Sequence, residues 1–145
     1  MARIEESIEI NRSVDKVFAY TTEAKKWPNW QTFIVEAEQI SQDPIGIGTT
    51  FRGTNRMMGV SMNWDAKITE YEPNKKWVKN ITCGSMNIEE QVTYDPTGEG
   101  IKFTIVYNMN IGGFLKLFSP MIVSTMRKET KKSLNNLKDI LEAQP

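Results

Sequence analysis

Histidine is absent from the 145 residues, and cysteine occurs once, as Cys83. The missing histidine removes Ser-His and Cys-His nucleophilic catalysis and the commonest nitrogen ligand for metals. With a single cysteine as well, no zinc or haem site of the usual ligands is expected, nor any other metal or cofactor. A lone cysteine also makes no intramolecular disulfide. Net charge is missing too. Eighteen basic residues balance 18 acidic ones, so no overall field exists to gather nucleic acid or an anionic membrane surface. Gly46-Ile47-Gly48 is too short to serve as a glycine-rich phosphate loop. No apolar run reaches the roughly 18 residues of a spanning helix. The longest candidate, Phe114 to Val123, is broken by Lys116, Ser119 and Pro120. The opening Met1-Ala2-Arg3-Ile4-Glu5-Glu6 carries acid where a secretory signal needs an apolar run, which predicts a cytoplasmic protein without integral membrane contact.

What is present has ordinary globular proportions, 39% apolar and 25% charged, over a length that suits one domain, residues 1–145. Ile4, Ile8 and Ile10 among Glu5, Glu6 and Glu9 predict a first strand. Ser13 then offers an N-cap, with Asp15 in the first turn and Val14, Val17 and Phe18 on one face, for a short helix to about Tyr20. Thr21 or Thr22 can cap a second short helix over Glu23 to Trp27, ending in a turn at Pro28-Asn29.

From Phe33 the period changes. β-rich runs are divided by Asp43-Pro44, Gly59, Glu72-Pro73-Asn74, Cys83-Gly84-Ser85 and Asp95-Pro96-Thr97-Gly98, a spacing that predicts six further strands. Met62, Trp64, Ala66 and Ile68 alternate with polar neighbours, as do Ile101, Phe103, Ile105, Tyr107 and Met109, so one face is buried and one wet; Val106 alone breaks the pattern. After Gly112-Gly113, Phe114, Leu117, Phe118, Met121, Ile122, Thr125 and Met126 recur at helical spacing, and Leu134, Leu137, Ile140 and Leu141 continue the stripe. About 28 residues at roughly 1.5 Å each make a closing helix of about 42 Å, enough to cross a sheet. Ser119-Pro120 either kinks it or marks its true start.

This order of elements resembles the SRPBCC superfamily, with its START-like helix-grip fold shared with birch-pollen allergens, and within it the polyketide cyclase/dehydrase family. The carriers are Ile8-Glu9-Ile10 with Ser13-Val14-Asp15-Lys16-Val17-Phe18, Trp27-Pro28-Asn29-Trp30, Gly48-Thr49-Thr50-Phe51, Ile68 through Asn74, and Leu134 through Glu142. None is catalytic. The resemblance implies an α+β fold, a seven-stranded curved antiparallel sheet in the order β-α-α-β6-α around a long C-terminal helix. It also implies a cavity between sheet and helix that holds a lipid, polyketide or similar ligand.

The inward phase supplies the candidate lining: Phe51, Met57, Met62, Trp64, Ile68, Met86, Ile88, Val92, Phe103, Ile105, Tyr107 and Met109, closed by Phe114, Phe118, Met121, Ile122 and Thr125. Apolar stripes mostly build cores, so a subset of these faces ligand. Eight methionines suit an adaptable pocket, and gap-filling explains them nearly as well. Asn55, Lys79 and Glu90 share the inward phase, where an unpaired charge costs several kcal/mol. Lys79 and Glu90 lie on adjacent predicted strands that would allow a pair; the bland alternative is a strand end where both reach water. Trp27 and Trp30 either guard a cavity mouth or staple helices to sheet, with stapling favoured. Arg52, Arg56 and Lys67 fall on the outer face.

Three functions follow in order. The first is a carrier or sensor of an apolar molecule, with no catalytic residues. Burying about 300 Å² of ligand yields about 7.5 kcal/mol gross, and association costs about 4 kcal/mol or more, so affinity is micromolar at best. The second is a cyclase or dehydratase using Glu90, Lys79, Tyr107 or Asn55 for proton transfer or carbonyl orientation. The third is a protein-interaction module without ligand. The sequence leaves the oligomeric state open.

Overall fold

The structure, a computed structural model, describes residues 2–144. Strand β1 (Ala2–Ile10) leads into helix α1 (Val14–Thr21), a 3₁₀ turn over Ala24–Lys26 and the single helical turn α2 (Trp27–Trp30). Six strands follow: β2 (Ile34–Gln39), β3 (Thr50–Met57), β4 (Val60–Glu72), β5 (Lys76–Cys83), β6 (Met86–Pro96) and β7 (Ile101–Ile111). A second 3₁₀ stretch, Gly113–Phe118, precedes helix α3 (Ser119–Ala143). The seven strands form one antiparallel sheet in the order β1-β7-β6-β5-β4-β3-β2, so successive strands from β2 to β7 are neighbours and β1 closes beside the last. Ile122, Met126, Leu134, Leu137 and Leu141 form the buried stripe of α3, which lies against β1. This is the helix-grip fold.

Pairing register explains which side chains turn inward. Lys79 stands opposite Glu90, and Glu90 opposite Tyr107, in a row that continues to Ile4. Two bulges interrupt the alternation, between Ile34 and Glu36 and between Ile68 and Glu70. The second moves the inward phase of β4 from Ile68 to Tyr71, so the strand bends without losing its buried face. Val106 is on the outer face, in a row with Gln91 and Val78. Gly53 is inward and opposite Trp64; a Cβ there would collide with the Glu36 carbonyl oxygen and stand 2.5 Å from the indole ring. Glycine lets Trp64 lie over the backbone.

Three sequence expectations change. Ser13 is the N-cap residue of α1, but its side chain makes no capping hydrogen bond; its hydroxyl engages Asp15 and holds that carboxyl below its ordinary value. Pro28 does not end a helix at Trp27. It occupies the first turn of α2, where the missing N–H has no helical partner to lose. The closing helix is 25 residues, about 37 Å, because Pro120 sits in its first turn and so marks the start rather than a kink. Among the described residues no helix is long and apolar enough to cross a membrane, and no group of three or more His, Cys, Asp or Glu could hold a metal ion.

Candidate functional site

The space between sheet and α3 has two unlike ends. At one end α1 and α2 fill the concavity with aromatic rings. Trp27, fully buried, stands 4.9 Å from Phe51, 6.0 Å from Trp77 and 6.3 Å from Trp64, centroid to centroid. Its indole N–H donates to the Thr21 carbonyl at 2.8 Å. Phe18 meets Tyr71 and Tyr94, and Trp30 meets Phe103 edge-on. The polar ends of these rings are linked in series. Trp77 Nε1 donates to Tyr94 Oη at 3.0 Å, Tyr94 Oη and Thr21 Oγ1 are 2.7 Å apart, and Thr21 Oγ1 donates to the Val17 carbonyl. Satisfied in this way, they can be buried without penalty. Trp30 is the exception, its buried N–H lacking a partner among the described residues. Both Trp27 and Trp30 staple helices to core and stand away from any mouth.

At the other end lies a cavity of about 420 Å³. Its floor comes from two hairpins. Met58 and Gly59, both at positive φ, make the two-residue β3–β4 turn, and Gly84-Ser85 makes the β5–β6 turn. Met58 in the left-handed region is strained by roughly 1 kcal/mol, and the turn delivers its side chain to the cavity edge. The roof is the Gly113–Phe118 stretch with the first two turns of α3. It is tied to the floor by the Ser85 hydroxyl donating to the Gly112 carbonyl at 2.6 Å and by the Gly112 N–H donating to the Ser85 carbonyl at 3.1 Å.

Seven of the chain's eight methionines line this cavity: Met57, Met58, Met62, Met86, Met109, Met121 and Met126. Cys83, Ile88, Leu115, Ile122, Val60, Phe114 and Phe118 complete the apolar wall, and Asn55 is its one polar side chain. Burial pushes the Cys83 thiol above its ordinary pKa, which keeps it a neutral apolar liner. Phe114, Phe118 and Met121 do not close the cavity as the helical stripe suggested. They are 73%, 41% and 57% exposed and form its rim: Phe114 and Phe118 lie in a 3₁₀ stretch that swings them outward, and Met121 lies on the outer side of the first turn of α3.

Behind Asn55 is a small chamber of about 30 Å³ whose wall includes Gln31, Trp64, Lys79, Glu90 and Tyr107. Lys79 and Glu90 pair at 3.2 Å with each side chain 4% exposed, far from any strand end. The Lys79 ammonium also sits 3.6 Å from the Trp27 ring centroid and 4.8 Å from that of Trp77. Burial lowers its pKa, with the Glu90 charge opposing. Tyr107 is held well above its ordinary value by burial and by Glu90. The Asn55 Oδ1 and the Trp64 indole N–H are buried without a hydrogen-bond partner among the described residues.

The inward phase therefore divides between core and cavity. Asn55, Met57, Met62, Met86, Ile88, Met109, Phe114, Phe118, Met121 and Ile122 line the larger space. Phe51, Ile68, Val92, Phe103 and Ile105 do not; they lie in the packed core, where the α1 and α2 rings occupy the room a ligand would need. Tyr107, Lys79 and Glu90 border the small chamber and not the methionine-lined cavity, and Trp64 stands between the chamber and a polar groove beside Gly53 and Glu36. Thr125 is half-buried on α3 and lines neither. Met58, Val60, Cys83, Leu115 and Met126 are liners absent from the candidate set. Methionine itself, crowded at the two hairpin tips and the start of α3, is the signal that finds two of them, Met58 and Met126.

A family described as polyketide cyclase / dehydrase and lipid transport matches residues 1–142. No curated protein is matched by sequence. Solved structures share the fold at low identity. TTHA0849 from Thermus thermophilus is 15% identical with a TM-score of 0.83, over 98% of each chain. Ara h 8.0201 is 12% identical with a TM-score of 0.70, over 99% of each. The di-domain ARO/CYC BexL from the BE-7585A biosynthetic pathway is 16% identical with a TM-score of 0.75, over 98% of this chain and 47% of that one. With the family match running through all seven strands and nearly to the end of α3, this chain belongs to the polyketide cyclase / dehydrase and lipid transport family.

Proposed function

We propose that the protein binds and carries a small apolar molecule, of lipid or polyketide-like body, in the methionine-lined cavity. One observation carries this reading: seven methionines from four strands, one turn and α3 converge on one space of about 420 Å³ with one polar side chain in its wall. A core seeking only stability fills such a space; flexible thioethers around an unfilled one suit occupants of varied shape. The exposed rim of Phe114, Phe118 and Met121 gives the ligand a route in. Catalysis is less well supported, since Lys79, Glu90 and Tyr107 stand outside the wall of the large cavity.

Native mass spectrometry of the purified protein, joined to titration with a fluorescent fatty acid, tests the reading. Binding is expected at micromolar strength, and Ile88→Trp, which fills the cavity from its floor, is expected to weaken it at least tenfold with the fold intact. Absence of any retained apolar mass together with unchanged probe binding in Ile88→Trp would overturn it.

A further inference from the structure

We infer that the bound molecule is neutral and carries one hydroxyl group, which enters the small chamber behind Asn55 while the apolar body fills the methionine-lined cavity. The inference deepens the proposed function and rests on it. Asn55 is common to the two spaces and is the polar residue at their junction. Its Oδ1 is a buried acceptor without a donor, and Trp64, on the chamber wall, has a buried N–H without an acceptor. A hydroxyl is the group that answers both, since it donates one hydrogen bond and accepts another. Buried polar groups left unpaired are rare in folded proteins, and two of opposite kind on one chamber wall form a complementary site.

Size and charge narrow the class. About 30 Å³ holds one or two water-sized groups, which suits a hydroxyl better than a glycerol or phosphate head. Lys79 and Glu90 neutralise each other across 3.2 Å on the same wall. A carboxylate head would set a second anion beside Glu90, and an ammonium a second cation beside Lys79, next to a pair that is itself only 4% exposed. A neutral donor-acceptor avoids both costs.

The test is isothermal titration calorimetry of the whole protein with three probes of similar apolar bulk: 1-decanol, its isomer 1-methoxynonane, which has no O–H, and decanoic acid. The alcohol is expected to bind about tenfold tighter than the ether and tighter than the ionised acid. Asn55→Leu is expected to remove most of that preference by weakening the alcohol alone. Trp64→Phe, which deletes only the indole N–H and part of the ring, is expected to reduce the preference about threefold. Equal affinity for alcohol and ether, preference for the acid, or a preference that survives both substitutions overturns the inference and leaves the cavity reading standing. Failure of all three probes to bind overturns both.

Discussion

The two ends of the space under α3 are built from the same alternating strands, yet one is packed and the other hollow. In the packed end, rings from α1 and α2 meet rings from the sheet at 4.9 to 6.3 Å, and their N–H and O–H groups are mostly joined in series. At the hollow end no helix reaches down between α3 and the two hairpin tips, and methionines line the space. The difference teaches that close packing and open space are divided along one helix. Rigid side chains with few rotamers hold the grip closed, and flexible ones surround the opening.

That division is open to test. The largest effect is expected from Trp27→Ala, which removes a fully buried ring and uncovers the Lys79 ammonium: about 5 kcal/mol, the upper end for such truncations. Met121→Ala, at the rim, is expected to cost under about 0.5 kcal/mol. Urea denaturation measures both, and similar losses would break the comparison.

Next comes Glu90→Leu, which leaves the Lys79 charge buried and unpaired and is expected to cost about 3 kcal/mol. The double variant Lys79→Met/Glu90→Leu is expected to recover most of that loss. If it does not, the pair itself contributes net stability rather than offsetting its own desolvation.

The smallest effect concerns pH. Burial lowers the Lys79 pKa below 10.5, so between the folded value and 10.5 the unfolded chain binds more protons than the folded one. The contribution of Lys79 to unfolding free energy therefore rises with pH across that window, and below it remains a constant penalty. With no histidine in the chain, stability is expected to be nearly flat from about pH 6 to 8. A marked slope there by thermal unfolding that Lys79→Met removes would place the lower end of the Lys79 window inside that range.

Most of the fold was legible because strand alternation has a period of two and its punctuation is local: Met58-Gly59, Pro73-Asn74 and Gly84-Ser85 each turn the chain where expected. The same alternation puts Lys79 and Glu90 on the inward face, and the tight Gly84-Ser85 turn between their strands sets them opposite each other. Periodicity could not say which inward positions face a hollow, because Phe103 and Met109 share a strand and a phase while one lies in the packed core and the other in the cavity wall. That is decided by what lies opposite. Trp27 and Trp30 descend onto Phe51 and Phe103, and nothing comparable descends onto Met86 and Met109. Where α1 and α2 dock is a tertiary fact that no local pattern carries. The outward swing of Phe114 and Phe118 was hidden for a similar reason, since a 3₁₀ stretch and an α-helix share much of their apolar spacing over six residues.

The methionine wall also gathers nearly all of the chain's oxidisable thioethers in one place. Peroxide turns a thioether into a polar sulfoxide, which an apolar wall does not tolerate. Met58 and Met121, 48% and 57% exposed, stand at the entrance, whereas Met109 and Met126, 2% and 4% exposed, lie behind them. Oxidative damage would therefore start at the rim and work inward, making the entrance polar while the depths stay dry. A protein caught midway would lose the apolar entrance of its cavity long before it lost its fold.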